Sequence, residues 1–343
     1  YTMEEYWADV MPAYKEFYCK FGGTTYAFPV DGDILVLNYR RDVFGSEEIK
    51  SKYKAETGNP FTLPETWEQF NEISIFFAKH SKDVGTLVDP PIEYGSQIYG
   101  VRPWIWGYYF NRAASAGVHY FDENMNPLVP FDGAVKALEN MQEQMKGCPP
   151  DTLTIGHEGT VSNWQSGRVA MSEWWIDINE FSSKPGVPVK GKVANTRMPG
   201  FSWGKPRAVM PYGRIAFIPK NAAEEHKEAA FYVARRLTDA EFSLQSTADP
   251  YCGFDPYRFS HYEHPEKYLT PNKYREDTPS QPNIPIFDDL ETAKLHLAGG
   301  KANMDIGFPQ PNWPGANDFI SSLGIHMHEA LLGKTTPEKA IKA

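Results

Sequence analysis

An α/β fold built in layers follows from three features of the 343-residue sequence: short continuous apolar runs of strand length, amphipathic stretches with helical spacing, and the alternation of the two along the chain. Ile34-Leu35-Val36-Leu37 is bounded by Asp31-Gly32-Asp33 and by Arg40-Arg41-Asp42, which predicts a strand buried on both faces. Ile215-Ala216-Phe217-Ile218, closed by Pro219, reads the same way. Thr66-Trp67-Glu68-Gln69 has the form of a capping box, with Phe70, Ile73 and Phe77 following at helical spacing. Asp132 is placed to cap a helix whose Ala134, Leu138, Met141 and Met145 share a face and which ends near Gly147. Ala230, Val233, Ala234 and Leu237 form a third stripe, and Ile320, Leu323, Met327 and Leu331 a fourth that stops at Gly333. Residues 249–285, rich in Pro, Tyr, His and charge, predict a long irregular connection.

Thirty-four basic against 44 acidic residues give a formal net charge of -10, with no basic block, which argues against nucleic acid or an anionic membrane as partner. No run approaches the roughly 18 apolar residues of a membrane helix. Cys19, Cys148 and Cys252 are too few and too scattered for a zinc site or a disulfide framework. Many of the nine Trp stand beside Gly, Pro or Asn, either presenting flat apolar faces to a ligand or capping the core.

Common catalytic frameworks are missing: there is no G-x-S-x-G elbow, P-loop, G-x-G-x-x-G or H-E-x-x-H. His326 and His328, two apart on a helix, point to different faces and do not make a metal pair. His261 and His264 fall in the irregular stretch and read as a solvated loop. The sequence pairs no two carboxylates as a glycosidase requires, although their number leaves that chemistry open.

The segment from Gly23 through Tyr26-Ala27-Phe28-Pro29, Asp33, Leu37 and Tyr39 to Asp42 resembles the G-x-x-Y-A-x-P-x-x-x-[DE]-x-x-x-L-x-Y-N-K-D segment of family 1 extracellular solute-binding proteins, the sugar-capturing components of bacterial ABC importers. Further similar segments follow in the family's order: Pro64-Glu65-Thr66-Trp67, Phe121-Asp122-Glu123-Asn124, Trp164 to Met171 against F-x-x-G-K-x-A-M, Met198-Pro199-Gly200, and Leu331-Leu332-Gly333 with Glu338 and Ala340. The resemblance implies a two-lobed periplasmic-binding-protein fold, type II-like, with a ligand cleft between the lobes. Only 22 residues precede Gly23 where the family has several strand-helix units, so the first lobe is expected to be incomplete. Residues 31–33 and 212–217 are expected to cross between lobes, leaving 1–32 and 217–265 in the first lobe and 33–214 and 270–343 in the second.

The same resemblance implies a binder without catalytic activity, cofactor or metal: a monomer that captures a saccharide, polyol or sugar acid and hands it to a membrane permease. It implies a periplasmic or extracellular location, free or lipid-anchored. A carbohydrate-active enzyme and a binder of a non-sugar solute stay open as alternatives. Asp33 is expected to accept sugar hydroxyls. Of Trp104 and Trp106 one is expected to stack on the ligand and the other to pack the core, with Trp106 preferred for stacking. Glu173-Trp174-Trp175 replaces the family's G-P-W, and one of its two Trp is expected to reach the cleft. Tyr212-Gly213-Arg214 stands at the second crossing, and Trp313 before the last long helix. Arg102 and Arg214 either recognise an acidic group bidentately or hold Asp33 or Glu173 in ion pairs. If any disulfide forms, the lobe assignment allows only Cys19 with Cys252.

Overall fold

The computed structural model describes residues 2–122, 124, 126, 131–210 and 213–343. Ten strands run through these residues: β1 Lys20–Phe21, β2 Thr24–Thr25, β3 Ala27–Pro29, β4 Leu35–Arg40, β5 Tyr94–Gln97, β6 Val169–Trp175, β7 Val193–Thr196, β8 Ala208–Met210, β9 Ile215–Phe217 and β10 Gly307–Pro309.

The central sheet has the order β5-β6-β4-β7. β5 runs parallel to β6, and β4 runs antiparallel to both β6 and β7, so β5, β6 and β7 share one direction. Leu35, Val36 and Leu37 are fully buried, as a strand covered on both faces requires, and every residue of β6 is buried as well. Two glycines seat helices on this sheet. A Cβ on Gly95 of β5 would fall 2.0 Å from the Ser74 carbonyl of the helix Trp67–Lys79, and one on Gly299 of the helix Leu290–Met304 would fall 1.8 Å from Asn195 Oδ1 of β7.

The helix ends follow local chemistry. Thr66 Oγ1 accepts from the Gln69 amide at 3.2 Å and Gln69 Oε1 accepts from the Thr66 amide at 3.2 Å, closing the expected capping box. Asp132 does not cap its helix: that helix spans Phe131–Gln144 and Asp132 sits in its first turn, where a carboxylate still favours the helix dipole. Ala134, Leu138 and Met141 are buried, and a 3-10 turn over Met145–Gly147 ends the element. The helix Ala316–Leu331 stops just before Gly333, whose φ of 71° only glycine adopts freely.

A smaller part is built on β3 paired antiparallel with β9, and the chain just past β3 stays on β9's lead-in: the Val30 and Asp31 amides donate to the Arg214 carbonyl at 2.8 and 3.3 Å. The expectation of a buried strand fails for β9, since Ile215 and Phe217 are exposed with β3 as the one strand paired to it among the described residues. The helix Glu224–Leu237 forms over its predicted stripe but buries no residue; Tyr232, Val233 and Leu237 are exposed, and Phe231, exposed as well, meets Phe28 of β3 edge to face at 5.4 Å.

Residues 249–285 are largely irregular yet firmly held. Arg258 is fully buried and donates to the Thr238 and Tyr6 carbonyls and to Asp9. His261 is buried too, against the loop expectation, with Nε2 2.9 Å from Ser243 Oγ. Its burial holds its pKa well below the usual imidazole value. All three cysteines are free thiols, Cys19 and Cys148 buried and Cys252 exposed, so no Cys19–Cys252 bridge is present. No helix among the described residues is long and apolar enough to cross a membrane.

Candidate functional site

Strand direction gathers the site. Leu35 at the start of β4 pairs with Trp175 at the end of β6, and Tyr94 at the start of β5 pairs with Val169 at the start of β6. Asp33, the segment after β5 and Asp177 after β6 therefore meet at one end of the sheet, the carboxyl end of β5 and β6. Ligands of open α/β sheets sit at that end.

The segment after β5 and the end of β6 build an aromatic wall. Tyr99 and Trp104 stack with centroids 5.5 Å apart at 26°, Trp104 meets Trp175 edge to face at 5.2 Å, and Trp174 lies 5.2 Å from Trp175 and 5.3 Å from His157. Tyr99 and Trp104 are half-buried, while Trp174 is fully buried behind them and Trp175 nearly so. The outer pair presents the flat apolar surface.

Below the wall lies a floor of carboxyl groups. Asp31 accepts from the Gly32 and Asp255 amides at 2.8 and 2.6 Å and forms an ion pair with Arg214. Arg214 also donates to the Gly253 carbonyl at 2.8 Å and lies 4.8 Å over the Phe254 ring. Asp255 Oδ2 accepts from the Ile176 amide at 3.3 Å, but its Oδ1, together with Asp177 Oδ1 and both Glu180 oxygens, is buried with no hydrogen bond among the described residues. Burial raises Asp31 to about 6, and burial with the Asp31 charge raises Asp177 to about 7. Asp33, Asp255 and Glu180 are pushed well above the carboxylate range, first by burial and then by the charges of Asp31 and Asp177. His296 Nε2 is 3.4 Å from Glu180, and burial takes that imidazole down to about 3, so it stays neutral and does not offset the acids.

Several residues singled out in the sequence lie elsewhere. Trp106 is a core residue with no exposed surface: it is the second residue of the helix Ile105–Ser115, whose every residue is buried, whereas Trp104 stands just before that helix and keeps its edge open. Glu173 is likewise fully buried, because its position in β6 faces Arg112, which donates to both its oxygens at 3.0 and 2.9 Å, with Gln144 adding a bond at 3.0 Å. Trp67 stacks on that guanidinium at 3.9 Å. Arg214 pairs with Asp31 and Glu173 with Arg112, so neither of the expected pairings forms; Arg102 is exposed with no ion pair among the described residues. At Gly213 the close neighbour is the Tyr18 ring, 3.3 Å from where a Cβ would stand. Trp313 belongs to a separate half-buried cluster with Tyr120, Phe121 and Phe319. Tyr212 lies outside the described residues.

Sequence reasoning missed Tyr99, Asp177, Glu180 and Asp255. Asp177 carried a signal, since it follows the Trp174-Trp175 strand end directly; Asp255 comes from the irregular stretch and carried none.

This arrangement is the two-lobed α/β fold of extracytoplasmic solute-binding proteins. Among solved structures the chain is similar to maltose-bound MalE3 of T. maritima, at a TM-score of 0.75 and 21% identity over 98% of this chain and 75% of that one. It is similar also to a solute-binding protein of Agrobacterium radiobacter K84 in complex with ribitol, at a TM-score of 0.71 and 20% identity over 98% and 74% of the two chains. A third, from Agrobacterium vitis S4 with bound D-mannitol, has a TM-score of 0.67 and 20% identity over 98% and 74%. No protein-family model matches the sequence, and no curated protein sequence matches it significantly. About a quarter of each of these three structures thus has no counterpart in these 343 residues.

Proposed function

We propose that this chain captures a carbohydrate or polyol between its lobes and delivers it, chemically unchanged, to the permease of an ABC importer. It works as a monomer outside the cytoplasm, in a periplasm or at the cell surface, free or lipid-anchored. Residues 1–32 and 217–265 form one lobe and 33–214 with 270–343 the other. The reading rests on one juxtaposition: the half-exposed Tyr99–Trp104 stack stands at the same sheet end as the carboxyl groups of Asp33 and Asp177. A pyranose or polyol offers a C–H face to such a stack and hydroxyl donors to such acceptors. The ligands of the structural neighbours, maltose, ribitol and D-mannitol, support that class.

Thermal-shift measurements over sugars, polyols and sugar acids, with the ligand recovered and checked by NMR, test this. A raised melting temperature with intact ligand is the expected result. Product formation would instead mark a carbohydrate-active enzyme, and stabilisation only by non-sugar solutes would move the ligand class.

A further inference from the structure

Five carboxyl groups, those of Asp31, Asp33, Asp177, Asp255 and Glu180, converge at the sheet end where the aromatic wall stands, and the pKa shifts tie all of them to one shared field. Two cations reach that field. Arg214 is engaged by Asp31 and the Gly253 carbonyl. Lys184 lies 4.8 Å over Phe181 and 4.9 Å over Tyr251 and is attracted by Asp177. Arg275, the next guanidinium outward, is paired with Asp249. Acid outnumbers base, and hydrogen bonds do not absorb the surplus: Asp255 Oδ1, Asp177 Oδ1 and both Glu180 oxygens are buried with no hydrogen-bond partner among the described residues, and Asp33 beside them is nine-tenths buried.

We propose that the ligand of this site carries a basic nitrogen: an amino sugar or amino polyol, bound as its ammonium form with the nitrogen toward Asp33 and Asp177 and the carbon chain on Tyr99 and Trp104. This rests on the solute-binding reading and narrows it. A neutral sugar offers hydroxyl donors but no positive charge that would let these acids ionise together. An acidic sugar would bring a further negative charge to acids already held above their usual range, and no unengaged guanidinium faces it, since Arg102 is exposed and Arg214 is used. An ammonium group supplies three charge-assisted donors to acceptors that lack them and lets the carboxyls ionise together. A bare metal ion fits less well: among the described residues no group of three or more ligating side chains is arranged to hold one.

The test is titration calorimetry on the full chain at pH 7 with matched probes: sorbitol against 1-amino-1-deoxysorbitol, and glucose against glucosamine and glucuronate. The aminated probe should bind about 10-fold or more tighter than its hydroxyl counterpart, the scale of one charge-assisted hydrogen bond, and glucuronate weakest. Asp177→Asn should weaken the aminated probe more than the hydroxyl probe and so shrink that preference. Should the variant unfold, the parent chain gives the same answer through pH, because protonating Asp31 and Asp177 between pH 8 and pH 5 should erode the preference. Equal or tighter binding of sorbitol or glucose, or preference for glucuronate, overturns the proposal and leaves the solute-binding reading intact. Failure of every sugar and polyol to bind overturns both.

Discussion

Arg214 and Asp31 bind each other twice, once through side chains as an ion pair and once through the backbone, where the Asp31 amide donates to the Arg214 carbonyl. They stand on the two segments expected to cross between lobes, so this contact holds those segments side by side. Asp31 is fully buried while the Arg214 side chain is half-exposed, so the pair has a screened end and a dry end.

Removing the exposed partner therefore strands a buried charge. Arg214→Gln should destabilise the protein by about 1–3 kcal/mol at pH 8, less than a fully buried pair would lose because solvent screens the guanidinium. Asp31→Asn in the Arg214→Gln background should recover part of the loss, and urea denaturation of the four-member cycle measures it. An additive cycle would show that the two side chains do not interact.

Glu173 and Arg112 are the fully buried counterpart. Glu173→Ala should cost about 3–5 kcal/mol, since Arg112 would keep its charge between Trp67 and the sheet with no carboxylate opposite. Equilibrium unfolding reads this loss directly. A loss below about 1 kcal/mol would mean that water reaches Arg112.

The two tryptophans after β5 should separate stability from binding. Trp106→Ala removes a fully buried indole and should cost about 3–5 kcal/mol in stability. Trp104→Ala should leave the melting temperature nearly unchanged and weaken the preferred sugar or polyol by about 1–3 kcal/mol. Reversed outcomes in melting and calorimetry would put Trp106 at the ligand.

That reversal of the Trp preference shows what the sequence could and could not carry. Local rules were legible: the Thr66 capping box, the apolar run of β4 and the Gly333 stop are properties of neighbouring residues. Trp104 and Trp106 differ only in which side of a helix boundary they fall, a matter of one or two residues. Glu173 sits in a strand buried on both faces, which required a partner, but Arg112 is 61 positions away and nothing local names it. The helix Glu224–Leu237 has an apolar stripe that predicts burial, and only the tertiary arrangement reveals that the described elements touch it at Phe231 and Ala234 without burying any of its residues. The carboxyl floor draws Asp31, Asp177 and Asp255 from three separate stretches, so its charge excess exists only once the chain is folded.

That excess makes stability depend on pH in a direction opposite to most carboxylates. Asp31 and Asp177 have folded pKa values raised to about 6 and about 7 from 3.8, so each binds its proton more tightly folded than unfolded. The stability each contributes is fully present below the unfolded value and is lost as pH rises through the folded one. Asp33, Asp255 and Glu180 are raised as well and act in the same sense. His261 and His296 oppose them: both are lowered by burial, His296 to about 3 from 6.5, so their contribution is lost as pH falls below 6.5. Above pH 6.5 the histidines are neutral in both states and the acids alone decide. The melting temperature should therefore fall between pH 6.5 and pH 8, and acidification below 6.5 should bring a maximum as the histidine penalty meets the carboxyl gain. Asp177→Asn should flatten the fall and melt higher than the parent at pH 8, because the amide carries no charge for the floor to repel. Melting curves of both proteins from pH 5 to pH 8.5 give the answer. A parent whose stability climbs steadily to pH 8, unaffected by the Asn substitution, would mean that these carboxyls ionise as freely as exposed ones and that the floor is wet.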